Sequence, residues 1–218
     1  MKKHFLPLSI FSLVGFLSLS TGARAQNLLA NGDFENETKG WSLFVPAEAK
    51  GAGCTFDVTG DAPHDGGLAA KLSSEGEARY GIVNYPKGIS YVGGDRYRVS
   101  AWVKAGDDFQ VKSGTPGFEI RVSFFSNVGN FTDSAAGHFY LALGGQAAMG
   151  SGLANSSYEE VPKVWTKVEG VFEMPSDAAA MNVSLFVMKG SGSIFFDDVM
   201  LESVDKSTPL SIGEDKKN

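Results

Sequence analysis

The sequence has 218 residues, of which 43% are hydrophobic and 20% charged, and its formal net charge is −6. That length suffices for one domain with a real core, and the mild acidity without a basic stripe excludes an ordinary nucleic-acid binder. A single cysteine, Cys54, excludes an internal disulfide framework.

The chain opens on Lys2, Lys3 and His4. The apolar run FLPLSIFSLVGFLSLS, residues 5–20, follows, and then Ala23-Arg24-Ala25. A basic start, a short apolar stretch and an A-x-A site form the pattern of a secretory signal peptide. The run is shorter than the ~20 residues that span a bilayer. Residues 1–25 are therefore expected to be a leader, with the protein secreted or periplasmic. The leader holds Lys2, Lys3 and Arg24 and no acid, so its removal takes the charge from −6 to −9.

Past the leader, strand-like segments alternate with Gly, Asp, Asn and Pro. Expected strands are Asn27–Leu29 with Phe34, Thr55–Val58, Ala69–Ser73, Ala78–Asn84, Asp95–Lys104, Gly117–Phe125, Phe139–Leu143, Trp165–Glu173, Met181–Met188 and Ser193–Leu201. In RYRVSAWVKA, Tyr97, Val99, Ala101 and Val103 point one way, and Arg98, Ser100, Trp102 and Lys104 the other. Val183, Leu185 and Val187 oppose Asn182, Ser184, Phe186 and Met188. Ile120, Val122 and Phe124 oppose Arg121, Ser123 and Phe125. Such period-two patterning with Gly-rich turns predicts an all-β antiparallel β-sandwich.

No segment has a convincing helical period; Pro175–Met181 is expected to form one turn. Residues 143–157 are rich in Gly, Ala and Ser, but no Lys-Ser/Thr pair follows, so they read as a loop beside a binding face and not as a phosphate cradle. The polar residues 205–218 read as a disordered tail, leaving 26–204 as the folded domain. Cys54 reads as a small buried apolar residue. Neither His64 nor His138 lies in a nucleophile motif.

At this point the segments NLLANGDFENETKGW (27–41), DGGLAAKL (65–72), DRYRVSAWVKA (95–105), WTKVEGVFEMP (165–175) and GSIFFDDVMLE (192–202) together resemble carbohydrate-binding modules of the family 4/9/22 group. These are galactose-binding-like jelly rolls. The resemblance implies a jelly roll, a polysaccharide or oligosaccharide partner and a structural calcium ion. Its calcium positions fall on Glu35 and Asp197, with the Asp33 carbonyl and either the turn at Gly66 or the Asp65 side chain added. Calcium takes six to eight oxygen ligands, so such a mixture suits it. Strict alternation places Asp197 with Phe195 and Asp198 with Phe196, so that one of the pair is the main ligand; periodicity leaves the choice open and the resemblance favours Asp197.

A sugar presents apolar C–H faces and a hydroxyl rim, so its groove needs aromatic platforms beside polar side chains. Aromatics on the polar face of an alternating strand, with their polar neighbours, are the candidates: Tyr80, Trp102, Arg121, Phe125, Asn182 and Phe186. Tyr85, Phe131, His138 and Tyr140 lie nearby in sequence. Such modules usually accompany a glycoside hydrolase, yet no catalytic domain is recognisable and no paired acids mark a glycosidase. The rival readings are a structural or adhesion sandwich without sugar binding, and a small glycosidase or lyase.

Overall fold

A computed structural model describes residues 26–61, 63–86, 91–112, 115–128, 137–143, 146–150 and 161–212. The expected leader, the segment with Phe131 and most of the loop 143–157 lie outside these residues. Among the described residues ten strands run in chain order: β1 (Trp41–Phe44), β2 (Thr55–Thr59), β3 (Ala69–Asn84), β4 (Arg96–Ala105), β5 (Gln110–Val111), β6 (Gly117–Phe125), β7 (His138–Leu141), β8 (Ala147–Met149), β9 (Thr166–Glu173) and β10 (Ala180–Val204). One 3₁₀ turn spans Ala47–Ala49.

All the strand pairings are antiparallel. The first layer runs β1–β3–β10–β6–β7–β8 through Asn182–Val187 of β10. The second runs β2–β3–β10–β4–β9 through Ile194–Val204. Segments expected as separate strands, Ala69–Ser73 with Ala78–Asn84 and Met181–Met188 with Ser193–Leu201, are thus two long strands that pass from one layer to the other. Both bend at the register break between Val187 and Gly192, where Lys189 and Gly192 take φ of 52° and 83°. A bulge inserts an unpaired residue and turns the strand, which carries it across a corner without ending it.

Between the layers lies the core. Val183, Leu185 and Val187 of the first layer face inward with Ile120, Val122 and Phe124. Val99, Ala101 and Val103 of the second face inward with Phe172 and Leu201. The layers interlock through aromatic contacts: Phe139 and Phe124 meet Phe172 at 4.9 and 5.6 Å, and Phe118 meets Phe196 at 6.0 Å. Alternation therefore gives the inward faces of β4, β6 and the first half of β10 correctly. Cys54 packs half-buried against this core, and burial pushes its thiol up.

Two expectations change and one holds. Asn27–Leu29 is not a strand; residues 29–40 are a chain of bends and turns, and the first strand is Trp41–Phe44. Pro175–Met181 holds a turn closed by Ala178 N–H donating to Pro175 C=O at 3.1 Å. Residues 205–212 are not loose but are sewn to the edge of the sandwich. Arg96 donates to Thr208 C=O at 2.6 Å, Ser211 N–H to Val171 C=O at 2.9 Å, and Val171 N–H to Ser211 Oγ at 2.8 Å. Residues 213–218 lie outside the described residues.

The N-terminal turns are tied to the end of β10. Asn27 Nδ2 donates to Val199 C=O at 2.8 Å, while its Oδ1 accepts from Leu201 and Leu29 N–H, each at 3.0 Å. Leu28 N–H donates to Leu201 C=O and Val199 N–H to Gly32 C=O, each at 2.7 Å. Asn27→Ala, which leaves these backbone groups without their partner, is expected to lower stability by about 1–3 kcal/mol in urea denaturation.

Candidate functional site

The outward face of the first layer is read in rungs. One rung is Phe44–Gly81–Phe186–Glu119, the next Ser42–Val83–Ser184–Arg121–Tyr140, and a third brings together Asn182, Ser123 and His138. Phe44, Tyr85, Arg121, Phe125, His138, Asn182 and Phe186 line a single cleft here. Its volume of about 200 Å³ lies below the ~300–1,000 Å³ of sites that engulf a small molecule. It is a shallow trough across the strands. Of the six residues expected to touch a sugar, Arg121, Phe125, Asn182 and Phe186 converge on it.

Gly81 makes the floor possible. A Cβ there would stand 2.2 Å from Leu185 C=O and 2.9 Å from the Phe186 ring. Its absence lets Phe186 lie across the neighbouring strand, with Phe44 meeting it edge-on at 5.9 Å. Phe44 is the exposed wall, 48% accessible, whereas Phe186 and Phe125 are 4% and 3% accessible.

Two guanidinium groups complete the site. Arg121 lies 4.6 Å from the centre of the Phe186 ring and 5.0 Å from that of Tyr140, and Arg79 lies 5.2 Å from Phe186. Arg121 also donates to Glu119 at 2.8 Å. Burial, with the positive charge of Arg121 and Arg79, pulls the His138 imidazole down, and its Nδ1 sits 3.0 Å from Ser123 Oγ. Asn182 Oδ1 and the Nε atoms of Arg79 and Arg121 are buried without a hydrogen-bond partner. Buried polar groups are normally satisfied, and two of these three belong to residues that line the cleft, Asn182 and Arg121. Nothing in the sequence singled out Arg79, although it follows from the β3 alternation once Tyr80 is known to face inward.

Two expected residues lie elsewhere. Tyr80 is fully buried in the core, and burial pushes its phenol well up. It cannot be a platform, because its strand turns the neighbouring Arg79 and Gly81 outward. Trp102 lies on the other layer, stacked on His64 at 3.8 Å and away from the cleft. Arg98, Ser100 and Lys104 do share its face, but that face belongs to β4, which pairs with the far half of β10.

The residues expected around calcium gather at the end where the chain closes. Glu35 Oε1 accepts from Gly67 and Leu68 N–H at 2.7 and 2.9 Å. Gly66 turns there with φ of 61°, and a Cβ on it would come within 2.3 Å of that same oxygen. Asp65 Oδ1 accepts from Gly66 N–H, and Asp33 Oδ1 from Glu35 N–H at 3.4 Å. Asp197, 1% accessible, accepts from His64 N–H at 2.9 Å, Asp65 N–H at 3.4 Å and Asp198 N–H at 2.8 Å. Burial pushes its carboxyl up to about 6, against these three donors, which favour the ionised form.

Asp198 does not point away from Asp197, as strict alternation requires. A bulge between Asp197 and Met200 and a φ of 47° at Asp198 break the period. Asp198 Oδ2 thereby reaches His64 Nδ1 at 2.7 Å, so both acids hold the same turn. Among the described residues no three His, Cys, Asp or Glu side chains converge as a metal group.

Comparison with known proteins agrees with the sandwich fold. Residues 26–117 match the family described as a carbohydrate binding domain, a stretch that holds the segments 27–41, 65–72 and 95–105. The CBM22-1 xylan-binding domain from Paenibacillus barcinonensis Xyn10C shares the fold with a TM-score of 0.53 at 16% identity, over 83% of this chain and 96% of that one. The C-terminal family 22 carbohydrate binding module of Clostridium thermocellum Xyn10B aligns at 0.51 and 15%, over 83% and 98%. The enzymatically active domain of tailspike protein 4 from Bacteriophage CBA120 aligns at 0.56 and 16% over 82% of this chain, which spans only 21% of that one. No curated protein matches the chain.

Gly81→Ala is expected to push Phe186 off its strand and cost about 1–3 kcal/mol by overpacking, measurable as a lowered urea midpoint.

Proposed function

We propose that the protein is an exported, non-catalytic carbohydrate-binding module that holds a polysaccharide across the trough of its first layer. The observation that carries this reading is the trough itself. Exposed Phe44 stands beside Phe186, and the lining residues Asn182 and Arg121 each keep a polar atom without a hydrogen-bond partner. Aromatic edges suit the C–H faces of a sugar ring, and buried unpaired groups suit its hydroxyl rim. The carbohydrate binding domain match over 26–117 supports the same reading, and the leader-like residues 1–25 support export.

A structural calcium ion at the closing end belongs to this proposal. The donor chemistry fits, because Asp197 is a buried carboxylate with no lysine or arginine ion pair among the described residues. An uncompensated buried charge is costly, and a bound cation offsets that cost. The Glu35 and Asp197 carboxylates and the Asp33 carbonyl, with either a carbonyl of the turn at Gly66 or the Asp65 side chain, would hold it in an oxygen shell. The ion would supply a crosslink between the two ends of the domain.

Phe44→Ala is the cleanest probe of the trough. It is expected to weaken binding about tenfold, ~1.4 kcal/mol, in affinity electrophoresis on plant and algal polysaccharides, with an unchanged Tm. Retardation on no glycan rules the reading out. Phe186→Ala and Phe125→Ala should also lower the Tm, since each ring is buried.

Calcium is tested separately by its pH dependence. The Asp197 carboxyl is raised from 3.8 to about 6 in the folded state, so without metal its contribution is fully present below pH 3.8 and lost as pH rises through 6. An ion that holds the carboxylate ionised removes that loss. The gain in Tm on adding calcium to EDTA-treated protein is therefore expected to be larger at pH 7 than at pH 5, and to vanish in Asp197→Ala. No gain at either pH in protein shown by elemental analysis to be metal-free rules the ion out.

A further inference from the structure

We infer that the trough selects an acidic glycan, one whose sugar units carry a carboxylate, as hexuronic acids do. The inference rests on the trough being the glycan site. It starts from what covers Phe186. Both Arg79 and Arg121 lie within 5.2 Å of the centre of that ring, and only 4% of the residue is accessible. The ring is therefore not a free stacking platform. What this part of the trough presents is guanidinium.

The charge there is not balanced. Glu119 pairs with Arg121, whereas Arg79 makes no ion pair among the described residues. No residue lining the cleft is acidic, and Arg79 stands beside that lining, against Phe186. His138 is drawn toward its neutral form by burial and by both arginines. One uncompensated positive charge thus remains in a protein whose net charge is −6. Each arginine also keeps an Nε–H buried without an acceptor. A guanidinium edge and a carboxylate match as planar forks with two parallel hydrogen bonds, which a neutral hydroxyl cannot reproduce. The acidic surface elsewhere does not forbid this, because charges more than ~8 Å apart are largely screened at physiological salt.

Titration calorimetry on the whole protein tests the inference. The probes are polygalacturonate, alginate, carboxyl-reduced polygalacturonate, xylan and dextran sulfate, all at about 0.15 M salt. The expected result is binding to at least one of the two uronate polymers, about tenfold or more tighter than to the carboxyl-reduced chain or xylan. Arg79→Gln should cut that binding about tenfold (~1.4 kcal/mol) while leaving the Tm in place. Arg121→Lys, which keeps the charge beside Glu119 but loses the fork, should weaken it as well. Neutral chains bound as tightly as uronates, tightest binding to dextran sulfate, or an Arg79→Gln variant with unaltered uronate binding would each overturn the inference and leave the glycan reading standing. No binding to any of the five polymers overturns both.

Discussion

The fold depends on one strand that both layers share. β10 runs for 25 residues, and its backbone groups pair with β3 and β6 in its first half and with β3 and β4 in its second. A strand that serves two layers must turn a corner and keep an apolar face toward the core on each side of it. The bulges at Val187–Gly192 and Asp197–Met200 meet both demands. Each adds residues outside the ladder and so shifts which positions face inward. The inward set is Val183, Leu185 and Val187 before the first bulge, Ile194 and Phe196 after it, and Val199 and Leu201 after the second. Every other feature hangs from this changing parity.

In the first half of β10 the outward positions are Asn182, Ser184 and Phe186, and they become the floor of the trough. Neighbouring strands add to the same rungs, because antiparallel register places Phe44 and Gly81 on one side of Phe186 and Glu119 on the other. The trough therefore needs no loop to define it. A rigid sheet holds its side chains in fixed relation, and a glycine supplies the room where one ring must lie over its neighbour. Arg121, paired with Glu119, and Arg79 then flank the Phe186 ring on this face.

In the second half the bulge at Asp197 does a different task. It bends two successive carboxylates toward the single turn His64–Leu68, which Glu35 holds from the other side. Nearby, Asn27 ties the first turns to Val199 and Leu201. With Cys54 the lone cysteine, the ends of the domain are closed by hydrogen bonds, and a buried carboxylate raised toward 6 marks where a cation would add most.

The sequence by itself determined the all-β class, the inward and outward face of most strands, and four side chains of the trough, because period-two alternation is a local property of the extended backbone. It also indicated that Glu35, the turn at Gly66 and Asp197 belong together, since the family resemblance carried that pairing. Tertiary structure alone decided the rest. Tyr80 and Trp102 each stand in an alternating strand, but alternation says only which residues share a face, not which face is the core or which layer a strand joins. Asp198 was misplaced because a bulge is a two-strand event, invisible to a period read from one strand. Arg79 entered the site only through its neighbours across the sheet. Residues 205–212 are held by Arg96 and Val171, partners more than 30 positions away. Local pattern fixes the direction of a side chain, while its company is set by register between distant strands.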